Sequence, residues 1–302
     1  MFYQLFSANK KHVFALYFLF LRDFKKKLYN RGVMRSPLAN IPPKFSLLPL
    51  INYLCKKISS MTLSYNNQNA HHRDSLIHFN EEEHRYTFEG RELISATTLI
   101  EKCFPKFDAD YWAAKKAPQL GTTPEILKAQ WAAKAQRACE LGTAMHDKIE
   151  KYYMGIASES DETFDLFLQF TKEHTLHPFR TEWRIFYEEY GIAGTLDFLE
   201  YQNGEFTIYD WKRSEKLVKN GIVEIDNPWH KTALPPISHI PDTTYYHYAL
   251  QVSMYRYILE KKYDIFVRKN RLAVFHPSNG RYHLIDLPYL REEIEMILKA
   301  NK

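Results

Sequence analysis

Two stretches dominated by apolar residues, on either side of a turn signal, suit strands that face each other. Residues 192–201 and 205–212 flank Asn203-Gly204, and Asn-Gly is the strongest short signal for a two-residue hairpin turn. Paired residues of such a hairpin have numbers that add to 407, which sets Asp197 opposite Asp210. Side chains alternate along a strand, so Lys212 shares the face of Asp210. Residues 181–189 alternate, and Gly191 permits a turn between that strand and the hairpin. Shorter hairpins are expected at 76–80 with 85–88, with Glu89-Gly90 as a turn after them, and at 271–275 with 282–287 around Asn279-Gly280.

Helical periodicity occupies much of the remainder. Residues 95–101 begin a helix that Pro105 interrupts. Thr123-Pro124-Glu125 combines a capping residue with proline at the first helical position, and Leu127, Trp131, Ala135 and Ala138 continue as one stripe. Gly142-Thr143 is expected to break that helix or to mark a tight packing point, with a second helix at 144–154 ending at Gly155. Further helices are expected at 163–173, 243–262 and 290–300. Residues 213–242 read as one long connection with Pro228, Pro235, Pro236 and Pro241, and connections of that length in a compact domain are unusual and often functional. The element order predicts an α/β fold with one mixed sheet and helices against it.

Composition is that of an ordinary globular protein, with 302 residues, 45% apolar and 25% charged. Aromatics reach 15%; scattered as they are, most belong to a core. The net charge of +5 misleads until it is located. Residues 1–60 hold 11 Lys and Arg against the single acid Asp23, which leaves 30 basic and 35 acidic residues in the rest. The main domain is therefore acidic, which argues against strong non-specific duplex binding.

Residues 1–60 form a basic apolar leader. Its unbroken apolar run at 13–21 is nine residues, too short to span a bilayer, which takes about 20. An interfacial helix or an organelle-targeting segment fits the length, but the plainer reading is an over-called start, with translation beginning at Met61. Cys55, Cys103 and Cys139 are few and far apart, so neither a zinc knuckle nor a disulfide framework is expected. A reducing, cytoplasmic setting fits best.

Two facing carboxylates destabilise a sheet unless something offsets them, and a divalent cation does so. An acid-x-Lys tripeptide alone means little, because the chain has three: Asp23-Phe24-Lys25, Asp210-Trp211-Lys212 and Glu260-Lys261-Lys262. Only the second sits on a strand with an acid across from it. Mg²⁺ or Mn²⁺ held by a few carboxylates can activate water and take a phosphate as a ligand. A neighbouring lysine can orient or deprotonate the water, or stabilise charge. His146 and Glu150, four apart on a helix, share a face; a neutral imidazole would complete the shell and favour Mn²⁺ somewhat. Gln251 and Tyr255 are likewise four apart. The bland counterparts are an exposed cross-strand pair neutralised by Lys212, a surface histidine, and a polar–aromatic helix face packed on the sheet.

Four motifs in order carry a resemblance. Gly142-Thr143-Ala144-Met145-His146, Gly194-Thr195-Leu196-Asp197, Asp210-Trp211-Lys212 and Gln251-Val252-Ser253-Met254-Tyr255 resemble the PD-(D/E)xK nuclease superfamily. Within it they are similar to the RecB-type exonucleases, relatives of mitochondrial genome maintenance exonuclease and the CRISPR adaptation nucleases. The resemblance covers about residues 90–290. It implies a restriction-endonuclease-like mixed central sheet flanked by helices, with a helical part at about 95–175 and the catalytic sheet and helix at about 176–302. It further implies that His146, Asp197, Asp210 and the Trp211 carbonyl bind metal and that Lys212 is catalytic. Gln251 and Tyr255 would support the site or touch DNA, Glu182 resembles an additional acid of some members, and Glu150 has a less certain counterpart. Many RecB-type nucleases carry a four-cysteine iron–sulfur cluster, and the cysteines here cannot build one. The expectation is a Mg²⁺- or Mn²⁺-dependent deoxyribonuclease, an exonuclease on single-stranded or frayed DNA ends. The alternative is a non-catalytic nucleic-acid-binding or assembly module that kept the fold; a phosphoesterase with another substrate is a third.

Overall fold

The computed structural model describes residues 65–302 except Pro228; the leader, its apolar run and Met61 lie outside the described residues. Among the described residues, seven α-helices and ten strands follow in order. These are α1 (Tyr65–Gln68), β1 (Ile77–Asn80), β2 (Arg85–Phe88), β3 (Arg91–Ser95), α2 (Ala96–Glu101), α3 (Ala109–Lys116), α4 (Pro124–Tyr153) and α5 (Glu162–Glu173). Then come β4 (Pro178–Tyr187), β5 (Ile192–Gln202), β6 (Glu205–Lys212), β7 (Val218–Lys219), β8 (Ile222–Val223), α6 (Thr244–Lys262), β9 (Val267–Val274), β10 (His283–Leu287) and α7 (Arg291–Ala300). One mixed sheet runs β1-β2-β3-β5-β6-β9-β10, with β4 on β5. The expected α/β architecture of a mixed sheet flanked by helices is what the chain forms.

Helices cover both faces of that sheet. On one face, Leu99 and Ile100 of α2, Leu250, Met254 and Ile258 of α6 and Ile294 of α7 pack with Leu196, Leu199, Ile208 and Leu272. On the other, Met145 and Ile149 of α4 and Phe164, Phe167 and Phe170 of α5 pack with Phe198, Tyr209 and Trp211. Strands buried on both faces are why β5 and β6 read as nearly continuous apolar runs around their acids. Among the described residues, no helix is long and apolar enough to cross a membrane.

The hairpin register is the expected one. Five pairs from Phe198↔Tyr209 to Gln202↔Glu205 keep the sum 407, and the ladder ends one step before Asp197 and Asp210. On its outer edge β5 pairs with β4 along most of its length. On its inner edge it meets β6 from Phe198 onward, and β3, in parallel, only at Ile192 and Ala193. Residues 194–197 are left between them without a strand partner on that side, and this gap is where the site opens.

Three expectations change. The helix begun at Thr123 runs unbroken for 30 residues through Gly142, and a Cβ at Gly142 would meet nothing within 4 Å. One glycine costs a helix about 1 kcal/mol, and the strong helix formers around it outweigh that cost. The connection at 213–242 is packed rather than loose: it contains the β7–β8 hairpin and buries Leu217, Ala233, Ile237 and Ile240. Strand β3 is an addition to the expected elements, whereas β9 and β10 form the expected hairpin, joined through a 3-10 turn at Pro277–Asn279 that Gly280 ends.

The outer edge of β4 is covered by residues 69–74. Asn69 Nδ2 donates to the Phe179 carbonyl at 3.0 Å, and Arg180 pairs with Asp74 at 2.7 Å. Trp183 Nε1 also donates to Asp74, at 2.7 Å. An open strand edge invites pairing with other chains, and this strap closes it with side chains.

Candidate metal centre

Four elements meet at the gap in β5. His146 and Glu150 stand on the part of α4 whose Met145 and Ile149 are buried against the sheet. Glu182 comes from β4, Asp197 from β5 and Lys212 from the end of β6. All five line one cavity of about 670 Å³, together with Gln251 and Tyr255 of α6.

Asp197 is 7% exposed. Its Oδ2 accepts the Trp211 N–H at 2.7 Å, a hydrogen bond that stands where the ladder has stopped. Its Oδ1 lies 3.7 Å from His146 Nδ1, and Glu182 Oε1 is equally 3.7 Å from that nitrogen. His146 Nε2 sits 3.0 Å from the Trp211 carbonyl. A carbonyl only accepts, so Nε2 carries its hydrogen and Nδ1 faces the two acids. Burial opposes charge on this imidazole, but Asp197 and Glu182 outweigh it and lift its pKa to about 9. A cation would therefore have to displace a proton.

Donor atoms of His146, Glu182 and Asp197 all lie within 4.8 Å of one another. Ligands at about 2.1 Å from one ion stand roughly 3.0 Å apart when adjacent and about 4.2 Å when opposite, and the 3.7 Å spacings fall inside that range. Two carboxylates and one imidazole suit a hard divalent ion, with the nitrogen favouring Mn²⁺ over Mg²⁺.

This group differs from the expected one at two members. Asp210 is not in it: the carboxylate is 1% exposed, with Lys212 Nζ 2.6 Å from Oδ2 and Gln251 Nε2 donating to Oδ1 at 3.2 Å. The fully buried Asp210 thus lies behind Lys212 and Gln251, which form the cavity wall in front of it. The Trp211 carbonyl is likewise engaged, by His146. Glu182, read only as an additional acid, supplies the third donor instead.

Burial raises the carboxyls of both aspartates. Lys212 and Asp197 pull Asp210 in opposite directions, leaving it at about 6; for Asp197, His146 and Lys212 oppose the rise. Burial works against charge on Lys212 too, yet Asp210 and Asp197 more than offset it and raise its pKa, so it is an ammonium. Gln251 Nε2 also reaches the Tyr255 hydroxyl, at 3.1 Å. The Tyr255 ring explains Gly194: a Cβ there would lie 2.5 Å from Tyr255 Cε1. Glu150 lines the cavity with its carboxyl raised by burial and then by Asp147, outside the donor group.

The remaining walls carry no local sequence signal. Phe79, His84 and Tyr86 of the β1–β2 hairpin line the cavity with Arg184, whose guanidinium carbon lies 5.2 Å from the Phe79 ring centre. No acid or glycine pattern points to them. Periodicity could have assigned Tyr86 only to a core.

No protein-family model matches this chain, and no curated protein matches it. Among solved structures, the crystal structure of SSO0001 is similar at 16% identity, covering 83% of this chain and 84% of that one, with a TM-score of 0.31. A likeness at that level carries no argument about function.

Proposed function

We propose that this protein is a nuclease that hydrolyses DNA phosphodiester bonds with Mg²⁺ or Mn²⁺, acting on single-stranded or frayed ends as an exonuclease. The observation that carries the reading is the convergence of His146, Glu182 and Asp197 on one cavity whose wall also presents Lys212. A bound divalent ion would supply an activated water and a Lewis acid for a phosphoryl oxygen.

The chain's own residues do the rest. His146, Glu182 and Asp197 would hold the ion, with the imidazole oriented by the Trp211 carbonyl. Asp210 keeps Lys212 protonated, which suits it to stabilise charge on a phosphate and makes it a poor base. Gln251 donates to Asp210 and also reaches the Tyr255 hydroxyl, so Tyr255 acts on Asp210 only through Gln251. The acidic balance of residues 61–302 disfavours a duplex gripped by electrostatics alone.

Digestion of end-labelled single-stranded and duplex DNA tests this. Wild type should cut with Mn²⁺ or Mg²⁺ and stop with EDTA, and Asp197→Asn and Lys212→Met should lose roughly 100-fold or more. No cutting by wild type with either metal, or full activity in Lys212→Met, defeats the proposal.

A further inference from the structure

Glu182 is held in a conformation that its position does not favour. Its neighbours pair regularly with β5, as Thr181↔Phe198 and Trp183↔Leu196, so Glu182 stands opposite Asp197 with no inserted residue. Yet its φ is +44°, in the left-handed region where a side chain with a Cβ meets steric resistance. The site thus opposes two acids across a ladder and twists one of them out of strand geometry. Both features need an outside restraint.

That restraint comes from α1. Asn66 Oδ1 accepts the Thr181 N–H at 2.8 Å. Its Nδ2 donates at 3.1 Å to the Thr181 carbonyl and lies at the same distance from the Thr181 hydroxyl. One carboxamide thus engages both backbone groups of the residue immediately before Glu182. The amide plane between Thr181 and Glu182 is fixed from its Thr181 side, and that plane sets the direction in which Glu182 leaves the strand. No motif in the sequence singles out Asn66, more than a hundred residues upstream.

We infer that Asn66 is a positioning residue for the metal group: by clamping Thr181 it holds Glu182 in the left-handed conformation that turns its carboxylate toward His146 and Asp197. Asn66 acts through Glu182 and is not itself a metal ligand. The inference rests on the proposed function only in taking the His146–Glu182–Asp197 group as the metal site.

Two measurements on the full chain test it. In a crystal structure of Asn66→Ala, Glu182 should leave positive φ and its carboxylate should move away from His146. An unchanged Glu182 overturns the inference whether or not the protein binds metal. Mn²⁺ titration supplies the second measurement. Asn66→Ala and Glu182→Ala should each weaken binding about 10-fold or more, and the double variant should bind no more weakly than Glu182→Ala alone. Additive losses would mean that Asn66 acts by some other route, and overturn the claim. Wild type that binds Mn²⁺ without cutting DNA would defeat the nuclease reading and leave this one standing. Wild type that binds no Mn²⁺ would defeat the metal site, and the Asn66→Ala structure would still decide whether Asn66 positions Glu182.

Discussion

Replacing Lys212 by Met should destabilise the protein in a manner that depends on pH. Lys212 Nζ lies 2.6 Å from Asp210 Oδ2, and Asp210 is 1% exposed. Methionine preserves most of the side-chain volume but leaves the carboxylate without its cation. Removing one partner of a buried pair costs about 3–5 kcal/mol while the other stays charged. Asp210 can avoid that cost by taking a proton. Burial already lifts it from 3.8 to about 6 against the pull of Lys212, and without the lysine it rises further.

The direction with pH follows from linkage. A carboxyl whose folded pKa exceeds its unfolded value leaves stability intact below the unfolded pKa and erodes it as pH rises toward the folded one. The difference between Lys212→Met and wild type should therefore be small near about pH 4, open above about pH 6 where wild-type Asp210 ionises, and grow by up to about 1.4 kcal/mol per pH unit to about 2–3 kcal/mol by about pH 8. At roughly 2–4 °C per kcal/mol for a domain of this size, the drop in Tm at the higher pH is about 4–12 °C. Thermal unfolding followed by circular dichroism across that range is the assay. Asp210→Asn/Lys212→Met removes both charges and should recover most of the loss, which also makes it the folded control for activity measurements. A penalty that is the same at both ends of the range, or a double variant as unstable as the single one, would refute the reasoning.

Gly194→Ala places a methyl 2.5 Å from Tyr255 Cε1 and should cost about 1–3 kcal/mol by overpacking. Urea unfolding checks this, and a midpoint equal to wild type would contradict the close approach. Trp229, 80% exposed on the 213–242 connection, should stack on unpaired bases at about 1–3 kcal/mol per base. Trp229→Ala should then weaken single-strand binding about 10-fold in a fluorescence titration, and unchanged affinity removes tryptophan from the interface.

Most of the sheet was legible because its signals are local. Asn203-Gly204 specifies both turn and register, and five pairs at the sum 407 follow from it. Helix starts at Thr123 and Thr243 were equally plain, since each threonine hydroxyl accepts the N–H three residues on, from Ile126 and Tyr246. Gly142 misled because a glycine reads as a break when the helix around it is judged one residue at a time. Within the site, residues named by their chemistry met in one cavity, but their roles shifted with depth. Asp210 lies one layer too deep to join the donor group, and strand alternation says nothing about depth. Glu182 was undervalued because its direction depends on a left-handed φ, set by contacts from a segment far away in sequence. Such long-range restraints leave no periodic trace.

Asp197 ties two properties of the chain together. Its Oδ2 takes the Trp211 N–H while Oδ1 turns to His146, so one carboxylate both finishes the sheet and faces the cavity. A mutational route that discards the acid also orphans a buried backbone donor, unless the replacement can still accept a hydrogen bond. Asparagine can do so and alanine cannot. A lineage that lost the proposed metal group would therefore still be held close to aspartate in shape, and amide-for-acid exchange is the step it could most readily take.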